Sequence, residues 1–265
     1  MRVVLPGLAW GLLFAATSAC AHDTWLLPDR FVMLPGGALT ATLSAGDGLK
    51  PLNPPKQKRV KSLELVDAEG RQPYLAWKDR KTSARITFPS PRAGVSCLAY
   101  STVDIDIQIE PKLVDAYLAE IQPAPEVLQA WARQRAAGEP WRERYAKDAK
   151  TCLRAGDGEA GWPQLAVLGQ TLEFVPVQDP TRLKRGDRIE VELRHQGRPL
   201  ADTAVRLFAG ERDEKVLRTD GQGRVTFDLS RSGRHLLATT RLELPAAPGA
   251  PWTSRFATLG FGVAD

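Results

Sequence analysis

Apolar and polar residues alternate along much of the chain, in short runs broken by glycine and proline. "ALTATLSAG" (38–46) alternates cleanly and "KSLELVDAEGRQ" (61–72) runs from a strand into a turn. "SARITFPSPRAGVSCLAYST" (83–102) reads as two strands joined by a Pro/Gly turn. A period of two places successive side chains on opposite faces of a strand, so residues 37–110 are expected to be β structure. Short strands between frequent turns point to a sandwich rather than a parallel sheet.

Residues 111–155 follow a different rhythm. Leu113, Tyr117 and Ile121 recur at i, i+4 and i+8, and Trp141, Tyr145, Ala149 and Cys152 also fall at helical spacing. Pro123, Pro125, Gly138 and Pro140 interrupt the stretch, which predicts two or three short helices, the last carrying "ERYAKDAKTCLRAG" (143–156). Arg142, Arg144, Lys147, Lys150 and Arg154 load that last helix with positive charge. A solvated face is the expected reading, with an anionic ligand or partner as the alternative. "RAGDGEAGW" (154–162) then serves as a linker.

Alternation returns in "KRGDRIEVELRHQGRPLADTAVRLFAG" (184–210) and "KVLRTDGQGRVTFDLSRSGRHLLATT" (215–240). Val205, Leu207, Val225, Phe227, Leu229, Leu236 and Ala238 are the expected inward residues. Asp220, Gly221 and Gly223 read as turn chemistry, because the spacing lacks the oxygen-ligand density of a calcium loop. The fold class expected is therefore mainly β, two sandwich domains with a short helical insert. The N-terminal sandwich is placed at 22–110, the insert and linker at 111–160, and the C-terminal domain at 161–265.

The first residues change what counts as the mature chain. Arg2, an apolar run from Val3 to Phe14 and the small residues Ala19-Cys20-Ala21 make a signal peptide over residues 1–21. The run is shorter than the about 20 residues a spanning helix needs. Cleavage after Ala21 would make His22 the mature N-terminus and the protein periplasmic. A lipoprotein starting at Cys20 is the rival, although Thr17 stands where such sites prefer leucine. Without Arg2 the formal charge of +5 falls to +4, too diffuse to suggest nucleic acid. Two cysteines then remain, Cys97 and Cys152, an even pair that suits a disulfide in an oxidising compartment. Two buried free thiols are the alternative.

A terminal histidine offers chemistry of its own. Its α-amine and imidazole Nδ1 can close a six-membered chelate on one metal once both are deprotonated. Nitrogen donors of this kind suit Cu, Ni, Co or Zn better than Ca or Mg. Asp23 would add an oxygen ligand or orient the ring. A frayed terminus is the competing expectation, and Trp25, Leu26 and Leu27 argue against it by anchoring the segment in a core. His195 is expected to be an exposed turn residue and His235 a structural histidine on a strand. Asp104 and Asp106 share one strand face as possible carboxylates, read here as solvated.

The start "HDTWLLPDRF", the phrases "ERYAKDAKTCLRAG" and "LGQTLEFVPVQDPTRLKRGD", the block Gly197–Leu237 and the ending "RFATLGF" together resemble NikM-like periplasmic proteins. These are described as nickel- or cobalt-uptake components. The Gly197–Leu237 block also resembles the transthyretin-like sandwich, so the expected domains are immunoglobulin/transthyretin-like. The resemblance implies an exported, metal-associated β protein beginning with histidine and partnered by a membrane metal transporter. It also implies a histidine near the end of the penultimate strand. This chain has Arg241 near that place and His235 nearby, which makes His22, Asp23 and His235 the expected metal residues. A non-catalytic sandwich module for structure or interaction is the alternative. A copper oxygenase would need a second histidine facing His22. No nucleophile elbow, P-loop, dinucleotide fingerprint or HExxH helix occurs, so an enzyme is not expected.

Overall fold

The computed structural model describes residues 22–265 apart from 75, 159–161, 163 and 211–213. The expected signal peptide at 1–21 lies outside the described residues. Ten strands come first: β1 (Asp23–Pro28), β2 (Val32–Met33), β3 (Leu39–Asp47), β4 (Lys50–Asn53), β5 (Val60–Asp67), β6 (Gly70–Pro73), β7 (Ala76–Asp79), β8 (Ala84–Phe88), β9 (Gly94–Thr102) and β10 (Ile105–Ile109). Helices α1 (Pro111–Ile121) and α2 (Pro125–Ala136) follow. The chain then continues as β11 (Trp141–Ala155), β12 (Leu172–Pro176), β13 (Arg188–His195), β14 (Arg198–Pro199) and β15 (Ala204–Ala209). It ends with β16 (Glu214–Arg218), β17 (Arg224–Asp228), β18 (Gly233–Glu243) and β19 (Trp252–Val263). The protein is mainly β, and its sheets pack as sandwich layers.

The central layer is a sheet ordered β16-β15-β18-β19-β11-β9-β5-β6, with β10 and β2 also paired to β11. β11 lies parallel to β19 and antiparallel to β9, with Cys152 directly opposite Cys97. The third expected helix is thus a strand. Trp141, Tyr145 and Ala149 share a face under either period, because a step of four residues is even. Cys152 decides between them: it lies on the opposite face, as strand alternation requires. Charge was misread along with the period. Arg142 and Arg144 are exposed, but Lys147, Lys150 and Arg154 are buried rather than solvated.

This strand also joins the two halves. The central sheet takes β5, β6 and β9 from before residue 111 and β15, β16, β18 and β19 from after residue 160, with β11 from between. The two expected sandwiches therefore meet in one shared sheet. On one face packs the sheet β1-β3-β8-β7, with a core of Leu26, Leu43, Leu65, Ile86, Leu98 and Leu153. On the other packs the sheet formed by β12, β13, β14 and β17, with Phe174, Val191, Phe227, Leu237 and Leu259 inside. Val205, Leu207, Val225, Phe227 and Leu229 point into that second core, whereas Leu236 and Ala238 face Trp25 and Leu27 of β1. The expected inward set is buried, but on two faces.

The helices close the rest of the first face. Pro111 and Pro125 begin α1 and α2, where a missing N–H costs nothing. Left-handed Gln122 (φ 45°) ends α1 ahead of Pro123. Their apolar sides cover an aromatic cluster in which Trp141 stacks on Trp252 at 4.4 Å and meets Trp131 edge-on at 5.2 Å.

Candidate functional site around His22

β1 is buried along its whole length between its partner β3 and the face of β19. Two glycines of β19 make that approach possible. A Cβ at Gly260 would stand 2.3 Å from Leu27 Cδ2, and one at Gly262 would stand 2.6 Å from Phe31 Cδ2. The segment beginning at His22 is therefore seated in the core by Trp25, Leu26 and Leu27.

His22 is itself buried at the end of this strand. Its carbonyl oxygen accepts a hydrogen bond from Lys147 Nζ at 2.5 Å. Its Nδ1 lies 3.5 Å from Asn53 Nδ2, and its Nε2 lies 3.6 Å from Oδ1 of Asp47, a carboxylate that is 72% exposed. With the Asn53 amide donating to Nδ1, the ring proton sits on Nε2 toward Asp47, which orients the imidazole as a carboxylate behind a ligand histidine does. Burial pushes the His22 pKa below its ordinary 6.5, Asp47 opposes that shift, and Lys147 adds to it. The neutral ring, the form a metal requires, is favoured.

Asp23 points the other way. Successive strand residues alternate, so when His22 faces the cleft beneath β3, Asp23 turns toward β15. There its Oδ1 accepts from Arg206 Nη2 at 2.8 Å, and Arg206 Nη1 donates to Glu120 Oε1 at 2.6 Å. Asp23 Oδ2 is buried without a hydrogen-bond partner, and burial raises the Asp23 pKa against the pull of Arg206 and Lys147. The expected pairing of Asp23 with the His22 ring is replaced by Asp47, which sequence spacing could not reveal.

His235 is not brought to His22. It lies in β18 on the face of Leu237, not that of Leu236 and Ala238, and stacks on Phe261 at 5.4 Å with Nδ1 3.2 Å from Gly233 O. The sheet separates the two histidines. His195 is half-buried at the end of β13, before a hairpin turn formed by Gln196 (φ 51°) and Gly197 (φ 76°). Asp104 and Asp106 are exposed and bound to Arg255 and Arg144 respectively. Cys97 and Cys152 form a buried disulfide with their Cα atoms 4.0 Å apart.

The His22 ring lines a cleft of about 460 Å³. Tyr145 and Lys147 come from one face of β11, Arg59 from the short turn at Gln57–Arg59, and Ile105 and Ile107 from β10. Lys147 Nζ also lies over the rings of Phe256 (4.7 Å) and Tyr145 (5.5 Å). Tyr145 and Lys147 were expected on a helix, and Arg59, Ile105 and Ile107 did not stand out in the sequence. A period-two reading of "WRERYAK" would have put Tyr145 and Lys147 on one face.

A family model described as "Domain of unknown function (DUF4198)" matches residues 19–242. The chain belongs to the DUF4198 family. The match takes in His22, the cleft and nearly all of β18. No curated protein matches. A solved structure titled "Biofilm associated protein - BSP domain" is similar over 90% of this chain and 30% of that chain, at 10% identity and a TM-score of 0.22. This chain thus spans under a third of that one, and so low a score carries no argument.

Whether the DUF4198 chain suits a transition metal turns on its donors. Among the described residues no group of three or more His, Cys, Asp or Glu side chains is disposed to hold an ion. What His22 offers is a neutral imidazole backed by an exposed carboxylate, to which processing would add an α-amine. Two nitrogens and one nearby oxygen fit an ion that keeps other ligands of its own. They do not fit a closed structural site.

Proposed function

We propose that this protein is exported to the periplasm and there binds a divalent transition metal, nickel or cobalt foremost, for uptake or handover to a membrane transporter. The observation that carries the reading is the His22 imidazole, buried at the end of β1 with Asp47 Oδ1 3.6 Å from Nε2. A metal arriving as cargo would be taken by the His22 amine and Nδ1, displacing the Asn53 amide from Nδ1, while Asp47 keeps the ring oriented. The small donor set suits exchange, since an ion held by few ligands leaves readily. The resemblance to NikM-like proteins supports nickel or cobalt, and nitrogen donors admit copper as well.

Two variants of the processed protein test this by calorimetric titration with Ni²⁺, Co²⁺ and Cu²⁺. An alanine added ahead of His22 keeps the ring but turns its amine into a non-basic amide. His22→Ala keeps an amine and removes the ring. Loss of most of the affinity in both is the expected result. An alanine-extended protein that binds as tightly as the processed one overturns the chelate. A parent that binds no metal leaves the sandwich as a structural or interaction module. Intact mass of protein recovered from the periplasm checks the cleavage after Ala21.

A further inference from the structure

Beside the His22 ring, the same cleft carries a surplus of positive charge that a cation does not need. Lys56, Arg59 and Lys147 line it, and among the described residues the carboxylates facing them are Asp79 in the lining and Asp47 beside the His22 ring. Arg59 is half-buried and donates from Nη1 to the Tyr145 hydroxyl at 3.2 Å. Among the described residues no carboxylate comes within 4.0 Å of its guanidinium. A guanidinium set into a cleft wall without a carboxylate presents a planar fork of donors suited to an incoming anion. Lys147, buried deeper on β11, adds positive potential at the floor, where a low dielectric strengthens it.

The remaining walls say what the anion is attached to. Ile105 and Ile107 of β10 and the Pro54-Pro55 pair give the cleft an apolar side. The volume, about 460 Å³, falls within the range of roughly 300–1,000 Å³ usual for small-molecule sites. Such a cleft is too large and too apolar on one side for an inorganic ion alone. We propose that it binds a small organic acid, its carboxylate on Arg59 under the field of Lys147 and its carbon body against Ile105 and Ile107. The site adjoins His22 but does not depend on metal, so it stands or falls apart from the metal-uptake reading.

The experiment is calorimetric titration of the full processed protein, freed of metal on a chelating resin, with succinate, glutarate and citrate, and with inorganic phosphate for contrast. Binding of at least one organic acid, weakening as salt is raised, is expected. Arg59→Gln should lower its affinity about ten-fold or more, with Arg59→Lys recovering only part, because the ammonium lacks the fork. Ile107→Asp, which sets a carboxylate in the opposite wall, should weaken it as well. Unchanged melting temperatures in these variants, at half-buried positions, separate lost binding from lost folding. No binding of any acid at millimolar concentration overturns the proposal. So does an Arg59→Gln protein that binds as well as its parent, or phosphate that binds as tightly as the organic acids.

Discussion

On one face of β11, Lys150 and Arg154 are buried against complete sets of partners, while on the other Lys147 forms part of a cleft wall. Lys150 Nζ donates to Glu173 Oε1 at 2.7 Å and to Ala166 O at 2.8 Å. The Glu173 carboxylate also accepts the backbone N–H groups of Leu168 (2.6 Å) and Gly169 (3.0 Å). Arg154 is likewise enclosed by Thr181, Asp179 and the Gly158 carbonyl. Charges so fully answered from within hold β12 and the loop before it against the central sheet. On the cleft face Lys147 donates to the His22 carbonyl and lies over the Phe256 and Tyr145 rings, and among the described residues no carboxylate comes within 4.0 Å of the Arg59 guanidinium. Burial alone does not mark a functional charge; whether the buried charge borders a cleft does.

The largest effect should come from breaking the enclosed face. Lys150→Met leaves the buried Glu173 carboxylate without its cation and is expected to cost about 3–5 kcal/mol in urea unfolding. Lys150→Met combined with Glu173→Gln should recover part of that loss, since the neutral amide oxygen still accepts from the backbone N–H groups of Leu168 and Gly169. A loss under about 1 kcal/mol in the single variant would show that the backbone N–H groups satisfy Glu173 by themselves.

A smaller effect is expected where β1 rests on β19. Gly260→Ala drives a methyl into Leu27 and should destabilise by about 1–3 kcal/mol. Because Leu27 shares its strand with His22, the metal affinity proposed for His22 should fall as β1 shifts. Adding Leu27→Ala to make room should restore stability in part. Gly260→Ala with unaltered melting would mean that β1 is seated more loosely than its contacts suggest.

The smallest effect concerns Glu120, which reaches from α1 to Arg206 behind Asp23. Burial pushes its pKa up to about 6 against the ordinary 4.5, with Arg206 opposing and Asp23 and Asp47 adding to the rise. Between those two values the folded protein binds more protons than the unfolded chain. The contribution of Glu120 is therefore fullest below about pH 4.5 and is lost as pH rises through about 6. Glu120→Gln should flatten that part of the stability curve and gain relative to the parent toward neutral pH. Parallel thermal melting curves for the two proteins across this window would exclude the effect.

Alternation, turn residues and the proline-led helix starts determined the mainly β class, the strands on either side of residues 111–160, and α1 with α2. Trp25, Leu26 and Leu27 likewise marked a buried segment after His22. The sequence also singled out His22 and the Cys97–Cys152 pair, through the expectation that residues 1–21 are removed and leave a terminal histidine and two cysteines.

What the tertiary structure alone decided begins with β11. Its apolar step of four fits a strand and a helix equally, and only pairing with β19 and β9 selects the strand. That choice turned three expected surface cations inward, Lys150 and Arg154 to one face and Lys147 to the other, where it bonds the His22 carbonyl and borders the cleft. It also joined both halves in one sheet. The nearer pairing of β1 with β3 set Asp47 rather than Asp23 beside His22, and the order of the central sheet put His235 on its far side. Sequence records which side chains exist and, by their period, which of them share a face. Which faces meet is set by strand order, and strand order depends on contacts between residues from about twenty to more than a hundred positions apart.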